Sequence, residues 1–170
     1  MHGQRIAFHL AVMATIARMV IADECSSDSM SKESLMANLR ILIVDDEKAV
    51  RSALERLLGT RGEWEVVGQA VDGREAIGKA KELKPDVVIM DVTMPQMSGL
   101  EATPEIKKVV PTAEVLIFTQ HDSTQIVQQA QKVGASGYLL KSQANWLVAA
   151  VEAMGQHKPF FQGRNLPKTS

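Results

Sequence analysis

The chain has 170 residues and a mass of 18.6 kDa, long enough for one domain with a sizeable core and short for two. Apolar residues make up 45% and charged residues 23%, near soluble globular averages, which speaks against a disordered chain or a fibre. The 19 Lys and Arg against 20 Asp and Glu leave a net charge of -1, which disfavours a protein built to grip nucleic acid through a basic surface. One cysteine, Cys25, excludes an internal disulfide or a cysteine-based metal centre.

Residues 6–22, IAFHLAVMATIARMVIA, form an apolar stretch broken by His9 and Arg18. A spanning helix needs about 20 mostly apolar residues, and a mid-stretch Arg costs roughly 2.5 to 3.5 kcal/mol, so no membrane span is expected. As a secretory signal the stretch would offer only Val20-Ile21-Ala22, a poor cleavage site. Residues 26–38, SSDSMSKESLMAN, are linker by composition. Residues 1–38 are therefore expected to lie outside the fold, as a helical extension or as sequence upstream of the true start. Met1, Met30 and Met36 are the candidate starts.

From residue 40 the chain alternates. Apolar runs stand at 41–44 (ILIV), around 66–67 (EVVGQA), and at 87–90 (VVIM), 115–118 (VLIF) and 138–140 (YLL), starting 21 to 28 residues apart. Short runs rich in Val, Ile and Leu without strict alternation suit strands buried on both faces. The first intervening segment has Val50, Ala53, Leu54, Leu57 and Leu58 at helical spacing, with Gly59 to end it. A second helix opens with Asp72-x-x-Glu75, a capping-box-like start, buries Ala76, Ile77, Ala80 and Leu83, and stops at Pro85. In the third, Pro104 predicts either a late start, with Thr103 as the cap and the proline at the first helical position, or a local kink. A fourth helix is predicted from about Asp122, with Ile126, Val127, Ala130 and Val133 on one side and Gly134 beyond its end. A fifth starts near Ala144 and carries Leu147, Ala150, Val151 and Met154. Five β-then-α units predict an α/β domain over 39–157: a five-stranded, doubly wound parallel sheet with five helices.

In such sheets the site lies beyond the C-terminal strand ends. The first run ends in Asp45-Asp46-Glu47, the third in Asp91, the fourth in Thr119 and the fifth in Lys141. Taken singly, each is ordinarily a turn residue, a helix cap or a surface charge. Four of five strands delivering polar groups to one edge is a different matter. Three converging carboxylates repel unless a cation joins them, and oxygen ligands with room for water suit Mg²⁺. A carboxylate beside that ion can attack phosphorus and form an acyl phosphate. Lys141 and the Thr119 hydroxyl would then meet the phosphoryl oxygens.

The segments ILIVDDE (41–47), PDVVIMDVTMPQMSGLEA (85–102), VLIFTQHD (115–122) and GASGYLLKS (134–142) resemble the receiver domain of bacterial two-component response regulators. GASGYLLKS and HKPFF are most similar to the NarL/FixJ subfamily. The resemblance implies a CheY-like, flavodoxin-like strand order 2-1-3-4-5. It implies Asp91 as phosphoacceptor, with Asp46 binding Mg²⁺ directly and Asp45 mainly through water. Asp91 and the Thr93 backbone carbonyl complete the ligand set. By the same resemblance Lys141 would pair with the phosphoryl group, Thr119 would be the switch hydroxyl, Tyr138 the coupled aromatic that turns inward, and Pro95 would fix the loop after the acceptor. On that resemblance, too, His121 would modulate the lifetime of the phosphoryl group rather than perform chemistry. The donor is a sensor histidine kinase, a phosphotransfer protein or a small acyl phosphate, and the chain is expected in the cytoplasm.

Phosphorylation adds about −1.5 to −2 charges and new acceptor oxygens. It can thereby order Thr119 and bias a two-state surface around the fourth helix, fifth strand and fifth helix. That surface is expected to bind a partner or a second copy. Trp146 is either an exposed partner anchor there or packed against the domain. His2, His9 and His157 show no paired spacing and are read as incidental. Residues 158–170 are too few for the helix-turn-helix module that usually follows such receivers, so no direct DNA binding is expected. A stand-alone receiver, a truncated transcriptional regulator and a constitutive, unphosphorylated interaction module all fit that tail. An aspartate-nucleophile phosphohydrolase would want Asp-x-Asp after the first strand, and a flavin module a Ser/Thr/Gly-rich loop there. DDEKAV provides neither.

Overall fold

The computed structural model describes residues 38–162. The expectations for residues 6–22, for His2, His9 and Cys25, and for the alternative starts lie outside those residues.

The elements in chain order are β1 (Leu39–Val44), α1 (Lys48–Leu58), β2 (Trp64–Ala70), α2 (Gly73–Leu83), β3 (Val87–Met90) and α3 (Gly99–Val109). They continue with β4 (Glu114–Thr119), α4 (Thr124–Lys132), β5 (Gly137–Leu140), a 3-10 segment (Lys141–Trp146), α5 (Leu147–Gly155) and β6 (Phe160–Phe161). All strand pairings are parallel, in the order β2-β1-β3-β4-β5-β6. The CheY-like order 2-1-3-4-5 holds, with one strand added. Five strands become six because Phe160 N–H donates to the Ser136 carbonyl and Gln162 N–H to that of Tyr138, which lays β6 along the outer edge of β5.

Alternate residues of the central strands serve opposite faces. Ile41, Ile43, Val87, Ile89, Leu116, Phe118 and Leu139 pack with Val50, Leu54, Leu57 and Leu58 of α1 and Leu147, Ala150, Val151 and Met154 of α5. Leu42, Val44, Val88, Met90, Val115, Ile117, Tyr138 and Leu140 face α2, α3 and α4 through Ala76, Ala80, Ala102, Ile106, Val127 and Ala130. Burial on both sides is why the strands read as continuous apolar runs. Each fully buried Leu or Ile among them contributes about 1.5 to 3 kcal/mol.

One helix start decides between two alternatives the sequence left open, and one differs from the sequence expectation. α3 begins at Gly99 and not at Pro104. The Ser98 hydroxyl accepts from Glu101 N–H, and the Glu101 carboxylate accepts from Ser98 N–H. This capping box satisfies the first turn, and the helix then runs on through Pro104. The proline ring leaves the Leu100 carbonyl without its helical donor, while the Thr103 hydroxyl donates to the Gly99 carbonyl at 2.7 Å. The fifth helix starts at Leu147 instead of Ala144, because Gln143 (φ -112, ψ 29) leaves helical geometry and the preceding turn is 3-10. The start of α2 is as expected: the Asp72 carboxylate accepts from Glu75 N–H at 2.9 Å, and Glu75 accepts from Val71 N–H at 2.8 Å. α4 ends where Gly134 takes φ +89, a left-handed turn that favours glycine.

Candidate functional site

The order of strands reverses at β1, which lies between β2 and β3. A crevice opens beyond the carboxyl ends at such a point. Asp45 follows β1 and Asp91 follows β3 directly. The Asp45 N–H donates to the Ala70 carbonyl, and the Asp91 N–H to the Val44 carbonyl, so both carboxylates are aimed by ladder continuations. Gly99 closes the floor. A Cβ there would stand 2.0 Å from the Asp91 carbonyl oxygen, so the start of α3 approaches the acceptor backbone closely only because no side chain intervenes.

Asp45, Asp91 and Lys141 are all buried. The Lys141 ammonium, at the first position after β5, lies 2.6 Å from Asp45 Oδ2 and 3.1 Å from Asp91 Oδ2. The other oxygen of each carboxylate accepts a backbone N–H: Asp45 Oδ1 from Glu47 at 3.0 Å, and Asp91 Oδ1 from Val92 at 2.7 Å. Burial above all pushes the Asp45 carboxyl above the usual carboxylate range. The Asp91 charge adds to this, while the Lys141 ammonium and the Glu47 N–H pull the other way. Burial alone would depress Lys141, but Asp91 and Asp45 together hold its ammonium above the ordinary lysine value.

Asp46 is partly exposed. A carboxylate oxygen from each of Asp45, Asp46 and Asp91 lies within 4.8 Å of the others. Three carboxylates at that spacing, one open to water and two walled by protein, fit a hard divalent cation that keeps part of its hydration shell.

On the β4 side, the buried Thr119 hydroxyl accepts from His121 N–H at 3.3 Å. The hydroxyl of Tyr138, on β5, donates to the His121 carbonyl. Burial raises the Tyr138 phenol, with the nearby Asp122 charge adding to it. Thr119 and Tyr138 are thus joined through the backbone of one loop residue, and Tyr138 lies inward. The His121 ring sits 2.8 Å from Thr93 Oγ1, which brings the residue two past Asp91 against the residue two past Thr119. Pro95 heads the tight loop before α3, where the Pro95 carbonyl accepts from Met97 N–H at 2.7 Å.

Trp146 ends the 3-10 segment and is 45% exposed. His157 is not incidental: its ring nitrogen lies 2.8 Å from Glu114 Oε1, and it takes φ 55 in the turn before β6. One further residue escaped the sequence pattern. Arg51 of α1 donates from Nη1 to the Asp45 carbonyl at 2.7 Å. Its only trace in the sequence is its place one helical turn beyond Glu47.

The parallel α/β fold and the strand-end set Asp45, Asp46, Asp91, Thr119 and Lys141 define a receiver domain. Residues 41–152 match the response regulator receiver domain family, and the chain belongs to it, within the NarL/FixJ type. It is 43% identical over 114 residues to the transcriptional regulatory protein LnrK of Bacillus subtilis (strain 168), covering 66% of this chain and 52% of LnrK. The chemotaxis protein CheY of Thermotoga maritima is 43% identical over 102 residues, 60% of this chain and 84% of CheY. A LuxR-family two-component response regulator from Aurantimonas sp. SI85-9A1, known as a crystal structure, superposes with a TM-score of 0.69 at 39% identity, covering 71% of this chain and 87% of that one. The chain spans about half the length of the transcriptional regulators it matches. No helix among the described residues is long and apolar enough to cross a membrane.

Proposed function

We propose that the domain accepts a phosphoryl group on Asp91 and relays that event through the surface formed by α4, β5 and α5. The observation that carries this is the buried Lys141 ammonium 3.1 Å from Asp91 Oδ2, with the Asp45 and Asp46 carboxylates gathered beside it. A carboxylate oxygen of Asp91 attacks the phosphorus of a phosphohistidine on a sensor kinase or phosphotransfer protein. The P–N bond breaks, the imidazole keeps the electron pair and takes a proton, and an acyl phosphate forms. Lys141 meets the charge that develops on the phosphoryl oxygens. Uptake and hydrolytic loss of this group are the whole chemistry, so the protein is a signalling component and not a turnover enzyme.

Mg²⁺ would be held by Asp46, Asp91 and the Thr93 carbonyl, and by Asp45 through water. When bound it supplies charge neutralisation between the acidic groups and the incoming phosphoryl oxygens.

Three new acceptor oxygens beside β4 compete for the Thr119 hydroxyl. As that hydroxyl turns toward them it relaxes its hold on the His121 N–H, and His121 also carries the Tyr138 contact. The change therefore reaches β5 and the loop before α4. The outward residues of α4 include Gln125, Gln128, Gln129 and Gln131, exposed and uncharged, and Trp146 stands at the head of α5. A face without like-charge repulsion suits association with a protein partner or a second copy in the cytoplasm, in preference to DNA. The test is intact mass after incubation with acetyl phosphate. A single Mg²⁺-dependent phosphoryl adduct, absent in Asp91→Asn, is expected. No adduct on folded wild-type protein would refute the proposal.

A further inference from the structure

We propose that Arg51 is a positioning residue for the metal-binding carboxylate of Asp46. The inference rests on the phosphoacceptor reading above and adds to it a residue outside the strand-end set. The Asp45 carbonyl belongs to the peptide plane that leads into Asp46. Arg51 Nη1 donates to that carbonyl at 2.7 Å, so the guanidinium fixes the plane from which the Asp46 side chain departs. Asp45 and Asp91 are held by Lys141 and by backbone N–H groups. Asp46 is partly exposed, and it depends on its backbone for its aim.

The guanidinium is itself braced. Its Nε donates to Gln69 Oε1 at 3.3 Å, and Gln69 Nε2 donates to Glu55 Oε2 at 2.9 Å. The Gln69 carbonyl accepts from the Lys79 ammonium, which also pairs with Glu75 at 2.8 Å. A rigid fork with donors aimed two ways matches this task, and a lysine point charge does not. A carboxylate aimed before the ion arrives loses less freedom on binding, which raises affinity without adding a ligand.

The experiment compares wild type, Arg51→Ala and Arg51→Lys, the last retaining the aliphatic stem and charge should the alanine variant fail to fold. Mg²⁺ binding to the unphosphorylated chain is measured by titration calorimetry. The Mg²⁺ dependence of acetyl phosphate labelling is measured alongside, and the Asp46 backbone amide is followed by NMR. Arg51→Ala is expected to weaken Mg²⁺ binding about tenfold, about 1.4 kcal/mol, and to raise the half-saturating Mg²⁺ concentration by the same factor. The labelling rate at saturating Mg²⁺ stays near that of wild type, and the Asp46 amide signal moves. Arg51→Lys falls between the two. Unchanged Mg²⁺ affinity in a folded variant overturns the proposal, as does a loss of plateau rate at unchanged half-saturation. A wild-type chain that binds Mg²⁺ but takes up no phosphoryl group refutes the phosphoacceptor reading instead, and leaves the affinity comparison for Arg51 standing.

Discussion

Replacing Lys141 with methionine keeps the stem that fills its pocket and removes the one charge between two buried carboxylates. The ammonium lies 2.6 Å from Asp45 and 3.1 Å from Asp91. With an effective dielectric near 20, unit charges about 3 Å apart attract by about 5 kcal/mol. Part of that is offset by the desolvation of all three groups. Removing one partner of a buried ionic cluster nevertheless destabilises by about 3 to 5 kcal/mol, because the remaining charges are stranded. Lys141→Met is therefore expected to lose about that much at pH 8. The loss carries a pH signature. The Asp45 carboxyl is already raised by burial and by Asp91, and Lys141 is the main group pulling it down. Without Lys141 its folded pKa rises further above the unfolded value. Between those two values the native state binds more protons than the unfolded state, so the stability of the variant falls as pH rises through that window. Each unit of elevation is worth about 1.4 kcal/mol. Urea denaturation with a chelator, at pH 5 and pH 8, should show a larger deficit at pH 8 than at pH 5. A deficit below 1 kcal/mol, or one equal at both pH values, would refute the reasoning.

Gly99→Ala forces a Cβ to within 2.0 Å of the Asp91 carbonyl; a loss of roughly 3 kcal/mol and slower labelling by acetyl phosphate are expected, both read directly in melts and mass spectra. For Glu114, burial alone would raise the carboxyl, but hydrogen bonds from Ser136 and His157 and the charge of Lys107 hold it below the usual glutamate value. A depressed carboxylate stabilises above its unfolded pKa, and that gain is lost as pH falls through the folded pKa. The stability gap between wild type and Glu114→Gln should therefore be open at neutral pH and close on acidification through the glutamate range. Trp146→Ala should weaken phosphorylation-dependent association while leaving acetyl phosphate labelling intact; unchanged association on analytical ultracentrifugation removes Trp146 from the partner surface.

Much of the fold was legible because of one physical demand. Strands such as Ile41–Val44 and Val87–Met90 are buried on both faces, and only an unbroken apolar run meets that. β6 was not legible, because two residues carry no period. Phe160 and Phe161 reach the sheet through a turn in which His157 adopts φ 55 and clasps Glu114, a contact 43 residues distant in sequence. Pro104 left two starts open, a late one at the proline or an early one interrupted by it. Proline is favoured at a helix start, but Ser98 and Glu101 cap an earlier one, and the helix runs on through the proline with Ala102, Thr103 and Ile106 buried. In the site, the strand-end residues could be found because parallel topology sends strand ends to one edge. The pairing of Lys141 with Asp45 could not, since spacing does not say which of two acidic neighbours a lysine reaches first. Arg51 left still less trace: its partner is a backbone carbonyl, and no residue type marks one.

The central claim is that Asp91 carries the phosphoryl group, and site mapping tests it most directly. The labelled chain is treated with borohydride, which reduces an aspartyl phosphate to homoserine, and then digested and sequenced by mass spectrometry. Homoserine at position 91 alone, formed only with Mg²⁺ during labelling, is the expected result. Reduction at Asp45 or Asp46 instead, or a label that resists borohydride, would contradict the assignment of Asp91 as the acceptor.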